Sequence, residues 1–103
     1  MSQQFDFRKL DPLIHVPARL AIMSVLAVQK ETEFTALSQR LDLTDGNLSS
    51  HLRTLEEAEY IRCTKFFVGR RPRTTYRILQ KGRAAFERYI DELEKIAVGN
   101  GAK

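Results

Sequence analysis

The spacing of apolar residues along the chain predicts a protein built mainly from helices. Apolar positions recur three or four residues apart in several segments, which places them on one face of a helix. Asp11, Thr35 and Thr44 are polar residues in position to cap the starts of three of these helices. The predicted helices are a short one that begins at Pro12 and longer ones over 17–29, 36–41, 45–58 and 81–97.

Two segments follow a different period and predict strands. Residues 60–66 and 74–79 alternate between apolar and polar positions and are rich in β-branched and aromatic side chains. Segment 68–73 between them contains glycine and proline and predicts a hairpin connection. Residues 32–34 are short enough to form either an edge strand or an extended linker. We therefore expect the 103 residues to form one domain that is mainly α with a small β-hairpin, an α+β fold.

The helix predicted over 45–58 carries an unusual polar face. Leu48, Leu52 and Leu55 share the side directed to the core, because they are four and three residues apart. The other sides are short-chained and offer donors and acceptors that suit base edges and phosphates. An ordinary solvated helix face is the alternative, although such a face more often carries pairs of Lys and Glu. The polar face and its shoulders consist of Gly46, Asn47, Ser49, Ser50, Arg53, Thr54 and Glu57.

Positive charge is concentrated in one short segment. The whole chain has a net charge of +4, whereas residues 62–77 contain no acid and include Arg62, Lys65, Arg70, Arg71, Arg73 and Arg77. Three of these arginines crowd the hairpin connection, where their repulsion does not help folding and contact with a polyanion would relieve it. A solvated basic loop is the alternative interpretation.

Three stretches of sequence carry a family resemblance. They are FTAL at 34–37, LTDGNLSSHLRTLE at 43–56 and GRRPRTTY at 69–76, and GRAAF at 82–86 continues the likeness. Together they resemble the prokaryotic winged-helix DNA-binding family related to the MarR and ArsR regulators. The resemblance covers roughly residues 10–95 and implies a winged helix-turn-helix fold, in which two helices joined by a short turn precede the hairpin, or wing.

The resemblance implies a homodimeric transcription regulator that binds double-stranded DNA. The second helix of the motif, 45–58, would enter the major groove, and the arginine-rich wing would contact the minor groove or the backbone. The expected DNA-binding residues are Thr44, Gly46, Asn47, Ser49, Ser50, Arg53, Thr54, Lys65, Arg70, Arg71 and Arg73.

Two positions depart from the family pattern. Glu59 stands where the family has a glycine before the wing. Because a left-handed Glu costs about 1 kcal/mol, we expect this turn to be shaped differently. Gln80 stands where a Thr or Ser would cap the last helix, so we expect the start of that helix to be less firmly fixed.

Apolar residues at both ends of the chain exceed what a three-helix core with a small hairpin needs. We expect them to pair across a two-fold axis, which would place two recognition helices about 34 Å apart. Packing of the two segments on each other within one subunit is the alternative. The predicted dimer interface consists of Phe5, Phe7, Leu10, Leu13, Ile14, Phe86, Tyr89, Ile90 and Leu93.

The remaining reactive residues predict no metal and no cofactor. Cys63 is the only cysteine, so an intrachain disulfide is excluded, and we expect a small buried hydrophobe with a faint redox possibility. His51 is predicted to be a half-buried packing residue, and His15 has no ligand-like neighbour at helical spacing. No bilayer-spanning apolar stretch and no signal-peptide pattern occurs, so we expect a cytoplasmic protein without a membrane partner.

Three classes of function compete. Sequence-specific DNA binding with regulation of transcription, by default repression, is the leading hypothesis. A winged-helix protein-interaction adaptor is the alternative, against which the arginine-rich connection argues. An enzyme is the weakest hypothesis, because the sequence has no nucleophile with a nearby base, no paired carboxylates in an apolar setting and no phosphate-binding glycine loop. The sequence does not identify a small-molecule effector.

Overall fold

A computed structural model of the protein describes residues 6–99. The expected fold class is confirmed, since helices surround a small antiparallel sheet whose longest part is a hairpin. A 3-10 turn, Phe7–Lys9, precedes the regular elements, and α4 continues as a π-helix over Lys95–Gly99. In chain order the elements are α1 (Pro17–Val28), β1 (Thr32–Glu33), α2 (Phe34–Leu41), α3 (Asp45–Glu57), β2 (Ile61–Val68), β3 (Arg71–Ile78) and α4 (Gln80–Glu94).

The segment before α1 forms a turn rather than the helix predicted from Pro12. Asp11 acts as a cap in the expected sense, because its Oδ1 accepts the Leu13 N–H at 2.8 Å. The turn stops there because Val16 must be extended, with φ −132° and ψ 123°, as expected for a residue before a proline. Pro17 then begins α1 at its first position, as predicted.

Helices α2 and α3 form the helix-turn-helix. The prediction that α2 begins at residue 36 behind a Thr35 cap is wrong: Glu33 leaves β1 in an extended conformation and the helix begins at Phe34. Asp42 ends α2 with a left-handed φ of 53°, a conformation that Asp tolerates better than most residues. The predicted Thr44 cap of α3 is confirmed, since its hydroxyl oxygen accepts the Asn47 N–H at 3.2 Å.

The sheet has the order β1-β3-β2, and all its strands are antiparallel. Residues 32–33 are therefore a strand and not a linker. The hairpin is longer than predicted, because its connection is only Gly69 and Arg70 instead of residues 68–73. Gly69 has a φ of +65°, and glycine at the first of two connecting residues is typical of a type II′ turn.

The strands pair at Pro72 because of where it lies in the ladder. Val68 and Arg71 are the pair that closes the turn, so the next pair, Phe67 with Pro72, falls in a position without ladder hydrogen bonds. The missing N–H of Pro72 then faces the other edge of β3, where β1 pairs only as far as Thr75.

The turn from α3 into the wing has the usual left-handed form despite Glu59. Glu59 has a φ of 64°. Its N–H donates to the Glu56 carbonyl at 2.9 Å, and the Tyr60 N–H donates to the Leu55 carbonyl at 3.0 Å. This pair of bonds is the Schellman motif, so the expectation of a differently shaped turn is wrong. The two bonds and the burial of Tyr60 outweigh a left-handed penalty of about 1 kcal/mol.

Helix α4 begins against the same turn. Gln80 is its first residue and Leu79 is the cap, without a side-chain hydrogen bond, so no hydroxyl fixes this end. Instead, the Leu79 N–H donates to the Tyr60 carbonyl at 2.9 Å. Gly82 packs so closely on Tyr60 that a Cβ placed there would lie 2.1 Å from the carbonyl oxygen.

One apolar core joins the helices to the base of the hairpin. The leucines spaced along α3 are buried as predicted. At the wing, the core ends with Tyr60, Ile61 and Tyr76, so the outer half of the hairpin projects beyond it. The fully buried large side chains are Ile14, Ile22, Met23, Leu26, Leu37, Leu48, Leu52, Leu55 and Ile61.

We predict that Gly82→Ala lowers the free energy of unfolding by about 3 kcal/mol, because backbone rather than a flexible side chain opposes the new methyl group. Gly46→Ala is the matched control, since a Cβ at that helical position meets nothing within 4 Å. It should leave stability unchanged or raise it by about 0.5 kcal/mol. Urea denaturation measures both variants, and equal effects would contradict the close approach of α4 to Tyr60.

We also predict a contribution of Tyr60 to alkaline stability. Burial, followed by the hydrogen bond that the phenol donates to Asp11 Oδ2 at 2.5 Å, raises the pKa of Tyr60 to about 12. A pKa raised above the unfolded value of about 10 stabilises the fold fully below pH 10, and this contribution is lost as pH rises toward 12. Tyr60→Phe should lose about 1 kcal/mol at pH 7 and then fall less steeply above pH 10. Parallel pH profiles of unfolding free energy for the two proteins would exclude this role.

Candidate nucleic-acid interface

The outer side of α3 has the composition that the sequence predicted. Most of the predicted residues are exposed, while Ser49 and Thr54 on the shoulders are half-buried. No bulky apolar residue interrupts this side of the helix. The fully exposed members are Thr44, Gly46, Asn47, Ser50, Arg53 and Glu57.

Two of the predicted hydroxyl groups are already engaged within α3. The Thr44 hydroxyl oxygen caps the helix, and the Thr54 hydroxyl donates to the Ser50 carbonyl at 3.2 Å. A hydroxyl can still make a further bond, but these two are held by the helix itself. The amide of Asn47 and the guanidinium of Arg53 make no side-chain hydrogen bond to residues 6–99.

The hairpin register divides the wing into two faces. Residues paired directly across two antiparallel strands point to the same side, and successive pairs alternate. One side, which we call the core face, begins with buried Ile61 and half-buried Ile78 and continues through Cys63 with Tyr76 and Lys65 with Thr74 to Phe67 with Pro72. The other side, which we call the arginine face, contains Arg62, Thr64, Phe66, Val68, Arg71, Arg73, Thr75 and Arg77.

Four of the six cations predicted in the basic segment therefore share the arginine face. Arg62 lies directly opposite Arg77, a like-charge pair that costs stability. Neither residue forms an ion pair with any residue between 6 and 99. Arg62 and Arg77 were not among the predicted DNA-binding residues. The strand alternation could have assigned them to it once the hairpin register was known.

Arg73 differs from the other wing arginines because it has an acidic partner. Its guanidinium forms an ion pair with Glu33. Glu33 on β1 is paired with Thr75, and Thr75 is two residues after Arg73 on β3. Both side chains remain more than one third exposed. Arg70 and Arg71 are exposed and form no ion pair among the described residues, and the exposed Lys65 lies on the core face.

Arg19 links the start of the chain to α3. Its Nε donates to Nδ1 of His51 at 3.3 Å, and another guanidinium nitrogen donates to the Leu13 carbonyl at 3.2 Å. His51 is half-buried, as predicted. His15 contacts Tyr89, whose hydroxyl lies 2.8 Å from His15 Nδ1. The Arg19 contacts position α3 against α1 and the N-terminal segment, and the His15 contact positions the N-terminal segment against α4.

The residues predicted to form a dimer interface divide into two groups. Leu10, Ile14 and Tyr89 are buried within the single chain, which matches the alternative that the terminal segments pack on each other. Leu13, Phe86 and Leu93 are half-buried, and Phe5 lies outside the described residues. Phe7 and Ile90 remain 68% and 36% exposed. Fewer of these residues than predicted are therefore exposed enough to contact a second subunit.

Similarity to known proteins identifies the family of this chain. A family described as "Winged helix DNA-binding domain" matches residues 18–97, which include every element from α1 to α4. The chain belongs to this family. The winged-helix DNA-binding family predicted from the sequence is confirmed by this match.

Several relatives extend this winged helix comparison. An uncharacterised protein of Methanocaldococcus jannaschii is 38% identical over 79 residues, which are 77% of this chain and 86% of that protein. A transcriptional regulator homologue from Pyrococcus horikoshii OT3 superimposes with a TM-score of 0.83 and 30% identity, over 91% of this chain and 94% of the other. S. aureus MepR in complex with DNA has a TM-score of 0.74 at 16% identity, over 90% and 76%, and shares the fold.

The winged helix domain also contains potential metal ligands and a free thiol. Within residues 6–99, no three His, Cys, Asp or Glu side chains come together in a way that could hold a metal ion. Cys63 is a half-buried free thiol rather than a fully buried one, and it lies opposite Tyr76, whose pKa is raised by burial. In the same part of the chain, no helix is long and apolar enough to cross a membrane.

Proposed function

We propose that this winged helix protein is a sequence-specific regulator of transcription, a repressor that acts in the cytoplasm on double-stranded DNA. Helix α3 lies in the major groove, and the arginine-rich wing lies on the adjacent minor groove or backbone. The observation that carries the proposal is the combination of a short-chained polar face on α3 with exposed Arg70 and Arg71, which have no acidic partner among the described residues. Repression requires only that the bound protein block a promoter.

A homodimer completes the proposal. Exposed Phe7 and Ile90, with half-buried Leu13, Phe86 and Leu93 beside them, supply apolar surface near the two ends of the chain. Pairing of this surface across a two-fold axis would present two copies of α3 to successive major grooves, about 34 Å apart. The relative from P. horikoshii, described as a transcriptional regulator homologue, and MepR, solved with DNA, support the same mode of action.

Selection of bound duplexes from a random library tests the proposal directly. We expect enrichment of a two-fold symmetric sequence whose half-sites are one helical turn apart. The affinity for the selected duplex should fall with salt along a log–log slope of about −7, which corresponds to about four cations per subunit at phosphates. A library that shows no enrichment at low ionic strength would overturn sequence-specific binding.

The wing arginines should account for much of this salt dependence. We predict that the double variant Arg70→Glu with Arg71→Glu lowers affinity at least about 100-fold and reduces the slope to about −4, because four phosphate contacts are lost from a dimer. Lys30→Glu with Lys95→Glu is the control for an equal change of net charge, since both lysines are exposed and lie outside α3 and the wing. Titration by fluorescence anisotropy at several salt concentrations measures both. Equal losses for the two proteins would point to general charge rather than the wing.

The ion pair between Glu33 and Arg73 leads to an opposite prediction. Glu33→Gln should strengthen DNA binding several-fold at low salt and steepen the slope by about 2 for a dimer, because each freed guanidinium can neutralise a phosphate. Glu31→Gln is the matched control, since Glu31 is an exposed acid two residues away and forms no ion pair with a described residue. If both variants bind alike, Glu33 does not compete with DNA for Arg73.

A further inference from the structure

The tip of the wing exposes three consecutive apolar side chains. Phe66, Phe67 and Val68 at the end of β2 are 40%, 71% and 52% exposed. Single exposed hydrophobic residues are ordinary on protein surfaces, but a contiguous patch usually marks a contact. Among the exposed large hydrophobic residues in the described part of the chain, only Val28 on α1 is more exposed than Phe67.

Folding does not require Phe67. On the core face, the last pair that belongs to the core is Cys63 with Tyr76, and the polar pair Lys65 and Thr74 separates it from Phe67. Phe67 and its partner Pro72 therefore project past the end of the core. The side chain can be shortened without opening a cavity, since nothing in the described core packs on it.

The charges beside the patch favour a nucleic acid as its partner. Arg70 occupies the turn, and Arg71 is paired with Val68, so two guanidinium groups without an ion-pair partner among residues 6–99 adjoin the apolar tip. An apolar protein surface would have to desolvate these charges, whereas phosphates on both sides of a DNA groove would bind them. The alternation of the strands directs Phe67 to the side on which the helices pack.

The size of the minor groove limits what can enter it. The groove is about 6 Å wide, which is too narrow for a two-stranded ribbon with side chains on both faces but wide enough for one aromatic ring. Apolar side chains that enter the groove unstack a base step and bend the duplex by about 20–90° toward the major groove. We propose that Phe67 is such a wedge, and that the wing bends the bound duplex while Arg70 and Arg71 contact the flanking phosphates.

This inference rests on the proposed function, and the experiment separates the two. The probe is the duplex recovered by selection, labelled at its ends with a donor and an acceptor dye. Energy transfer reports the bend, anisotropy reports affinity, and permanganate oxidation reports unstacked thymines. The variants are Phe67→Ala and Phe67→Leu, with Val28→Ala as the control because Val28 is 85% exposed on α1, away from the wing.

The expected results are specific. The wild type and Val28→Ala should bend the duplex and produce a reactive thymine at the wing position. Phe67→Ala should lose at least about half of the bend and the reactive thymine, with unchanged melting temperature and unchanged salt slope, because the phosphate contacts remain. Phe67→Leu should restore part of the bend, since leucine is also an apolar wedge.

Three results would overturn the wedge. A wild-type complex with a straight duplex, or equal bending by wild type and Phe67→Ala, excludes it while leaving DNA binding intact. A change of molar mass in light scattering for Phe67→Ala, with the bend preserved, assigns the patch to a protein contact. Absence of binding to every duplex overturns the proposed function itself, and the wedge with it.

Discussion

The structure depends on the way Tyr60 joins four parts of the chain. Its backbone N–H closes α3, its carbonyl accepts the N–H of Leu79 at the start of α4, and its phenol binds Asp11 in the N-terminal segment. Its own position requires Glu59 to be left-handed and Gly82 to lack a side chain. Because the wing begins at the next residue, the angle between the hairpin and α3 is set by these bonds. Helix α3 and the wing are thus oriented by one buried junction.

Local signals in the sequence were sufficient for most of the helical part. The Thr44 cap and the leucines spaced along α3 depend on residues within one or two turns, and both were predicted correctly. The errors occurred where a distant partner decides the outcome. Helix α2 begins earlier than predicted because β1 pairs with β3, more than 40 residues later. Glu59 adopts the conformation of a glycine because tertiary contacts hold Tyr60, which no local propensity reveals.

The candidate interface was predictable in composition and less so in arrangement. Charge counting located the basic segment, but only the register shows that four arginines share one face while Lys65 lies on the other. It also shows that the turn contains two residues, so Phe67 and Val68 belong to a strand end rather than to a loop. The pairing of Arg73 with Glu33 joins residues 40 positions apart and could not be read from either segment alone. Long-range pairing thus determines which cations are free.

The two-residue turn at Gly69 and Arg70 has a consequence for how such a wing can evolve. In an antiparallel ladder, one added residue in either strand exchanges the sides on which all following side chains point. A single insertion early in β2 would turn Phe66 toward the helices and Phe67 away from them. Only changes that lengthen both strands by two residues preserve the pattern, and each such change moves the tip outward by about 7 Å. Wing length in proteins of this kind should therefore vary in discrete steps.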